Sequence, residues 1–266
     1  MSADILPSIR RFVAVFYFPG QPLPVPVRTG AELNFLPDNV FRRHRRLAVF
    51  DMDSTLIQQE VIDEIARSLG PVFQKQVSDI TERAMNGELD FTASLRERVA
   101  LLKGVKVSVF EELKSVIRMT QGVPDLIKVL KRLGYKTAVL SGGFMPLTGW
   151  LAKQLELDYA HANNLVVSTD GKTLTGELEG VIVNAEMKRD LVLEIAQKEG
   201  ILLEQTLVVG DGANDLKMMG VSGLGVAFNA KPKVQVDAPA RLNSSSLLDV
   251  MHLLGFTKDE LNDLLI

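Results

Sequence analysis

The 266-residue sequence predicts an α/β fold: a doubly wound parallel sheet with a small helical bundle inserted after the first core strand. Short apolar runs, Leu47–Phe50, Thr137–Leu140 and Thr206–Val209, alternate with helical stretches, the pattern of parallel strands buried on both faces. Each run empties into a polar or glycine-bearing loop: Asp51-Met52-Asp53, Ser141-Gly142-Gly143, and Gly210 to Asp215. In an open parallel sheet such loops gather along one edge, where ligands sit.

Residues 1–45 form an appendage ahead of the sheet. Phe12–Phe18 is strand-like, whereas Gln21–Gly30 (QPLPVPVRTG) is too proline-rich for a helix or a central strand. The basic run Phe41–Arg46 (FRRHRR) reads as a solvated connector in preference to a nuclear-import or nucleic-acid patch. The core takes residues 46–58 and 120–256. Between its two parts, residues 59–119 are helical: Val61, Ile62, Ile65, Ala66 and Leu69 recur at helix spacing up to the Gly70-Pro71 stop. Further helices are expected over about 72–85, 91–102 and 107–117. Pro124 then starts a helix whose buried stripe is Leu126, Ile127, Leu130 and Leu133, ending at Gly134. Asp170-Gly171 turns a hairpin between residues 165–167 and 174–183. A helix over 187–198 leads to the third apolar run, and a last strand lies near 224–228. A capping box, Thr257 with Glu260, opens a terminal helix within 257–266.

With 46% apolar and 24% charged residues the chain reads as an ordinary soluble globular protein. A net charge of −3 and a pI near 5.7 argue against a general nucleic-acid binder. The absence of cysteine excludes disulfides, thiolate metal sites and cysteine nucleophiles, and suits a cytoplasmic enzyme. No apolar run approaches the ~18 residues of a membrane helix, and no signal peptide is expected.

Asp51 and Asp53 place two carboxylates one residue apart at a strand end. Such a pair needs a cation, a shared proton or full hydration; a solvated turn is the plain alternative. With Asp211 at the same edge, a hard cation is called for, and Mg²⁺ prefers carboxylate oxygens with retained waters. The other pieces suit phosphate: backbone N–H groups at Gly142 and Gly143, the Ser141 hydroxyl, and a positive charge from Lys188.

DMDST (Asp51–Thr55), the strand-end Ser141, Lys188 and GDGAND (Gly210–Asp215) resemble the four motifs of the haloacid dehalogenase-like phosphatases. More closely, FDMDSTLIQQEVIDEIA (Phe50–Ala66), ITERAMNGELDFTASLRERVALLKG (Ile80–Gly104), LSGGF (Leu140–Phe144), VVGDGANDLKMM (Val208–Met219) and NAKPKVQ (Asn229–Gln235) are similar to the phosphoserine phosphatase family. The likeness spans roughly residues 45–255, and Glu60 and LRERV separate this family from the wider superfamily. It implies Mg²⁺-dependent hydrolysis of O-phospho-L-serine to L-serine and phosphate through an aspartyl-phosphate, the last step of serine biosynthesis.

Position by position, the resemblance implies that Asp51 is the nucleophile and Asp53 the general acid, then base. One Mg²⁺ would be held by the Asp51 carboxylate, the Asp53 backbone carbonyl and Asp211. Ser141, Gly142 and Lys188, with Asn214 beside them, would hold the phosphoryl oxygens. Glu60 and Arg98 would meet the substrate's ammonium and carboxylate, Met85 and Phe91 would line the pocket, and Asp215 would stand behind. Many relatives carry a complete regulatory domain at the N-terminus. About 45 residues is too short for one, so the segment is read as a remnant of such a domain or a packing element. The oligomeric state stays open, a homodimer included.

Two rival readings remain at this level. A sugar-phosphate phosphatase or phosphomutase would leave Glu60 and Arg98 with no amino acid to hold. A phospho-acceptor signalling domain is shorter and lacks the helical insertion. His44, His161 and His252 match no motif and read as structural or surface residues. Trp150 and the methionines other than Met85 read as core packing.

Overall fold

The computed structural model describes residues 13–15, 33–36 and 39–266. Ahead of the core, β1 (Val13–Val15) pairs in parallel with β2 (Leu33–Phe35). The remainder of the expected strand Phe12–Phe18, and the whole of Gln21–Gly30, lie outside the described residues. Seven further strands form one sheet: β3 (Leu47–Phe50), β4 (Lys136–Phe144), β5 (Tyr159–Val167), β6 (Leu174–Glu179), β7 (Thr206–Gly210), β8 (Leu224–Phe228) and β9 (Ala240–Leu242). Their order is β6-β5-β4-β3-β7-β8-β9, parallel throughout except for the β5–β6 hairpin.

Helices α1 (Val61–Leu69), α2 (Pro71–Met85), α3 (Phe91–Ala100) and α4 (Val109–Lys114) form the insertion between β3 and β4. α5 (Val123–Arg132) feeds β4, α6 (Met145–Leu155) joins β4 to β5, and α7 (Ala185–Lys198) precedes β7. α8 (Leu216–Val221) and α9 (Pro232–Asp237) flank β8, and α10 (Val250–Leu253) and α11 (Lys258–Leu265) close the chain. Starts are marked chemically. Asp90 accepts from the Ala93 N–H at 2.7 Å, Asn184 from Met187 at 2.9 Å, and Thr257 and Glu260 make the expected reciprocal cap. No helix among the described residues is long and apolar enough to cross a membrane.

β3 is fully buried because both faces of the sheet are covered. Ala48 and Phe50 join Leu126, Leu130, Leu147 and Leu151 on one side, while Leu47 and Val49 join Leu191, Val192, Ile195 and Met218 on the other. The insertion shares the first of these cores. Phe110 of α4 meets Phe144 of β4 edge to face, with ring centroids 6.4 Å apart, and a buried phenyl side chain contributes about 1.5–3 kcal/mol. The insertion's two connections also pair with each other. Ile57 bridges Met119 in antiparallel fashion, the Gln58 N–H donates to Arg118 O at 3.0 Å, and the Thr120 N–H donates to Leu56 O at 3.0 Å.

Several boundaries depart from expectation. β4 does not stop at Leu140 but runs on through Gly142-Gly143 to Phe144, and β5 begins at Tyr159, well before residue 165. The two extensions support each other through Asn163 of β5, whose Nδ2 donates to Gly142 O (2.8 Å) and Gly143 O (3.2 Å). β6 ends at Glu179, and Val183, expected within it, gives its N–H to Asn163 Oδ1 at 2.8 Å. α8, α9, α10 and the short edge strands β2 and β9 lie outside the expected elements. Within the basic run, Arg45 is no solvated connector residue: it is buried, and its Nη1 donates to Glu204 O and Thr206 O at 3.0 and 2.9 Å.

Candidate active site

Register brings the three loops together. Phe50 lies opposite both Val139 and Val209, so Asp51 leaves the sheet level with Leu140 and Gly210, one step from Ser141 and Asp211. After Asp51 the chain makes a wide turn, Met52–Leu56, broken by extended backbone at Asp53 (ψ 136°) and left-handed backbone at Ser54 (φ 55°). Such a conformation at a serine is costly and is held by its surroundings. Ser54 Oγ donates to Glu60 Oε1 at 2.7 Å, and the Val61 N–H donates to Asp53 Oδ2 at 3.2 Å. The turn thereby ties Ser54 and Asp53 to the start of α1.

Lys188, in the first turns of α7, is wholly buried. Its Nζ lies 2.9 Å from Asp51 Oδ1 and 2.7 Å from Asp215 Oδ1. Burial opposes its charge, but the two carboxylates more than offset this and hold the ammonium above its ordinary pKa. Asp215 spends its other oxygen on the Gly212 N–H at 3.0 Å. Asp211 accepts from Thr55 Oγ1 at 3.3 Å.

Four carboxyl groups thus face one ammonium, and their ionisation shows the deficit. Burial, then Asp215, raises Asp51, with Lys188 pulling the other way. Burial, then Glu60, pushes Asp53 up to about 8; burial, then Asp215, pushes Asp211 to about 7. Asp53 Oδ1 is buried without a partner. Oxygens of Asp51, Asp211 and Asp215 all lie within 4.8 Å of one another, a hard-donor cluster able to hold a metal ion. Because Asp215 is already engaged by Lys188 and Gly212, Asp51 and Asp211 are the freer donors.

The third loop completes the edge. The Gly143 N–H donates to the buried Ser141 Oγ at 2.9 Å, leaving the hydroxyl proton free to be given elsewhere. A β-carbon at Gly142 would lie 2.9 Å from Phe91 Cζ and 3.8 Å from Asn214 Nδ2, so only glycine lets the phenyl ring of α3 close over this strand. From the insertion, Arg98 is half-buried on α3; its Nε donates to Ser94 O at 3.3 Å. Burial lowers its pKa, while Asp63, Glu60 and Asp53 act to raise it, which places its charge in reach of the site. Arg96 is exposed.

Asp51, Asp53, Phe91, Ser141, Gly142, Lys188, Asp211 and Asn214 are therefore brought to one place, with Glu60 linked to it through Ser54 and Arg98 facing it electrostatically. The expected pocket residue Met85 ends α2, and its side chain lies outside what the structure describes. Sequence reasoning missed Asn163, Thr55 and the direct Asp215–Lys188 contact. An asparagine in a buried strand interior, where asparagine is depleted, was the available signal for Asn163.

The profile of the haloacid dehalogenase-like hydrolases matches residues 46–223, and the chain belongs to that family. The chain is 49% identical over 225 residues to the phosphoserine phosphatase of Saccharomyces cerevisiae, covering 84% of this chain and 72% of that one. It is also similar, at 43% identity and a TM-score of 0.72 over 78% of its length, to a solved phospho-aspartyl intermediate analogue of phosphoserine phosphatase, 98% of which is covered. A substrate-bound phosphoserine phosphatase complex matches at the same identity and TM-score, over 78% of this chain and 97% of that one.

Proposed function

We propose that this phosphatase hydrolyses O-phospho-L-serine to L-serine and phosphate, the last step of serine biosynthesis, through phosphorylation of Asp51. The observation that carries the reading is the buried Lys188 clamped between Asp51 and Asp215 at the edge where three strand-end loops meet. The ammonium fixes the Asp51 carboxylate for in-line attack and shares the charge of the phosphoryl oxygens. With its pKa near 8, Asp53 carries a proton at neutral pH, which it gives to the leaving serine oxygen. As a carboxylate it then takes a proton from the water that attacks the aspartyl-phosphate. Ser141, Gly142 and Asn214 hold the phosphoryl group. A single Mg²⁺, held by the Asp51 carboxylate, the Asp53 carbonyl and Asp211, would neutralise charge on the phosphoryl oxygens.

The insertion supplies selection. Glu60 meets the substrate's ammonium and Arg98 its carboxylate, with Phe91 lining the space between. In this reading residues 46–58 and 120–256 are the catalytic core, 59–119 the cap, 1–45 an appendage and 257–266 a terminal helix. The cysteine-free chain suits the cytoplasm.

Phosphate release from O-phospho-L-serine, a sugar phosphate and an aryl phosphate tests this. Phosphoserine should be the preferred substrate, with activity lost on chelation and restored by Mg²⁺ but poorly by Ca²⁺. Full activity after exhaustive chelation would refute the metal assignment, and preference for a sugar phosphate would refute the substrate.

A further inference from the structure

The edge of the sheet opposite the catalytic loops carries a cleft of about 680 Å³. It lies where β3, β4 and β7 begin, the strands whose far ends lead to Asp51, Ser141 and Asp211. His44, Arg45 and Arg46 precede β3, Tyr135 precedes β4 and Gln205 precedes β7; no carboxylate belongs to the lining among the described residues.

Arg45 is only 8% exposed, yet no described carboxylate pairs with it. Its Nη1 is engaged by two backbone carbonyls, and its Nε has no partner among the described residues. The hydroxyl of Tyr135, a residue 5% exposed, equally has no partner among the described residues. Buried charges are as a rule paired and buried polar atoms hydrogen-bonded, so both residues are incomplete as they stand. Burial accordingly drives Arg45 down to about 10 and Tyr135 up to about 12. At the rim Arg46 is exposed, with no side-chain partner among the described residues. Arg43 differs: it pairs with Glu260 at 2.6 Å and covers the Phe256 ring at 4.7 Å.

We propose that this cleft binds a small, multiply charged oxyanion, a polycarboxylate or a phosphate ester of up to nucleotide size. The ligand supplies the counter-charge that Arg45 lacks and an acceptor for the Tyr135 hydroxyl, with Arg46 and His44 gripping it from the rim. The cleft's volume falls in the range of small-molecule sites, and guanidinium groups suit carboxylate and phosphate alike.

Amide shifts of the isotope-labelled chain, titrated with citrate and separately with ATP at constant ionic strength, test the proposal and distinguish the two chemistries. Saturable shifts at Arg45, Arg46, Tyr135 and Gln205 with either probe are expected. Arg46→Glu should weaken that binding about tenfold while phosphoserine turnover is retained. Shifts confined to Gly142, Gly143 and Gly212, shifts that grow without saturating up to about 10 mM, or binding unchanged in Arg46→Glu would each overturn it.

Discussion

The sheet edge and the helical insertion treat their charges in opposite ways. At the edge, Lys188 is fully buried and already bonded to Asp51 and Asp215, so the catalytic groups are fixed before any ligand arrives. On the insertion, Arg98 makes one long hydrogen bond to its own helix and Glu60 rests on the Ser54 hydroxyl; neither has a salt-bridge partner among the described residues. In the proposed reading, chemistry is preorganised in one region, and recognition in the other waits for an amino acid to fill it. The contrast implies that losses at the edge fall on every phosphate ester alike, and losses on the insertion fall on phosphoserine.

The largest effect belongs to Asp51→Asn, which should abolish the acid-stable phosphoenzyme and lower kcat by about 10⁴-fold or more on all substrates. Radiolabel trapped on any other residue would break the assignment. Lys188→Met should remove activity and destabilise the fold by about 3–5 kcal/mol in urea denaturation, because two buried carboxylates lose their cation. Adding Asp215→Asn should return part of that stability but not the activity. Arg98→Ala should cost about 2–4 kcal/mol in transition-state binding, roughly 30- to 1000-fold in kcat/KM for phosphoserine. An aryl phosphate should be affected far less, and equal losses on both would erase the distinction between the two regions. Asn163→Ala sharpens the edge side: freeing the Gly142 and Gly143 carbonyls should lower kcat about tenfold on both substrates and cost about 1–3 kcal/mol of stability.

The smallest effect lies outside both regions and serves as their control. The Thr257 N–H, then Arg43, lowers the Glu260 carboxyl from 4.5 to about 2. A depressed folded pKa means that its stabilising effect is complete above about 4.5 and fades as pH falls towards 2. Side-chain NMR should show Glu260 titrating near that lower value in the wild type and higher in Thr257→Ala.

Much of this was legible because the relevant signals were local. The buried strand β3 declared itself as a continuous apolar run, the insertion through helical spacing and the Gly70-Pro71 stop, and α11 through its capping box. The meeting of Asp51, Ser141, Lys188 and Asp211 at one edge was legible because parallel strands bring their ends together. What escaped was set by contacts between distant residues. Extension of β4 through two glycines depends on Asn163, about twenty residues on, and β9 is a three-residue edge strand with no periodicity to detect. The basic run looked solvated because nothing local marks Arg45 as the residue that turns inward to Glu204 and Thr206.

The paired connections of the helical insertion have a consequence for how such an enzyme can be rebuilt. Leu56, Ile57 and Gln58 run antiparallel to Arg118, Met119 and Thr120, so the chain leaves the sheet and returns to it at almost the same spot. An insert whose two ends meet can be exchanged without stretching its host, which is why domain insertions succeed at such junctions. The junction works as a socket. A different set of helices could be spliced between Ile57 and Met119 while Asp51, Lys188 and Asp211 keep their places, provided it again offers an acceptor to Ser54 and an N–H to Asp53 as Glu60 and Val61 do, giving one phosphoryl-transfer engine a choice of interchangeable front ends.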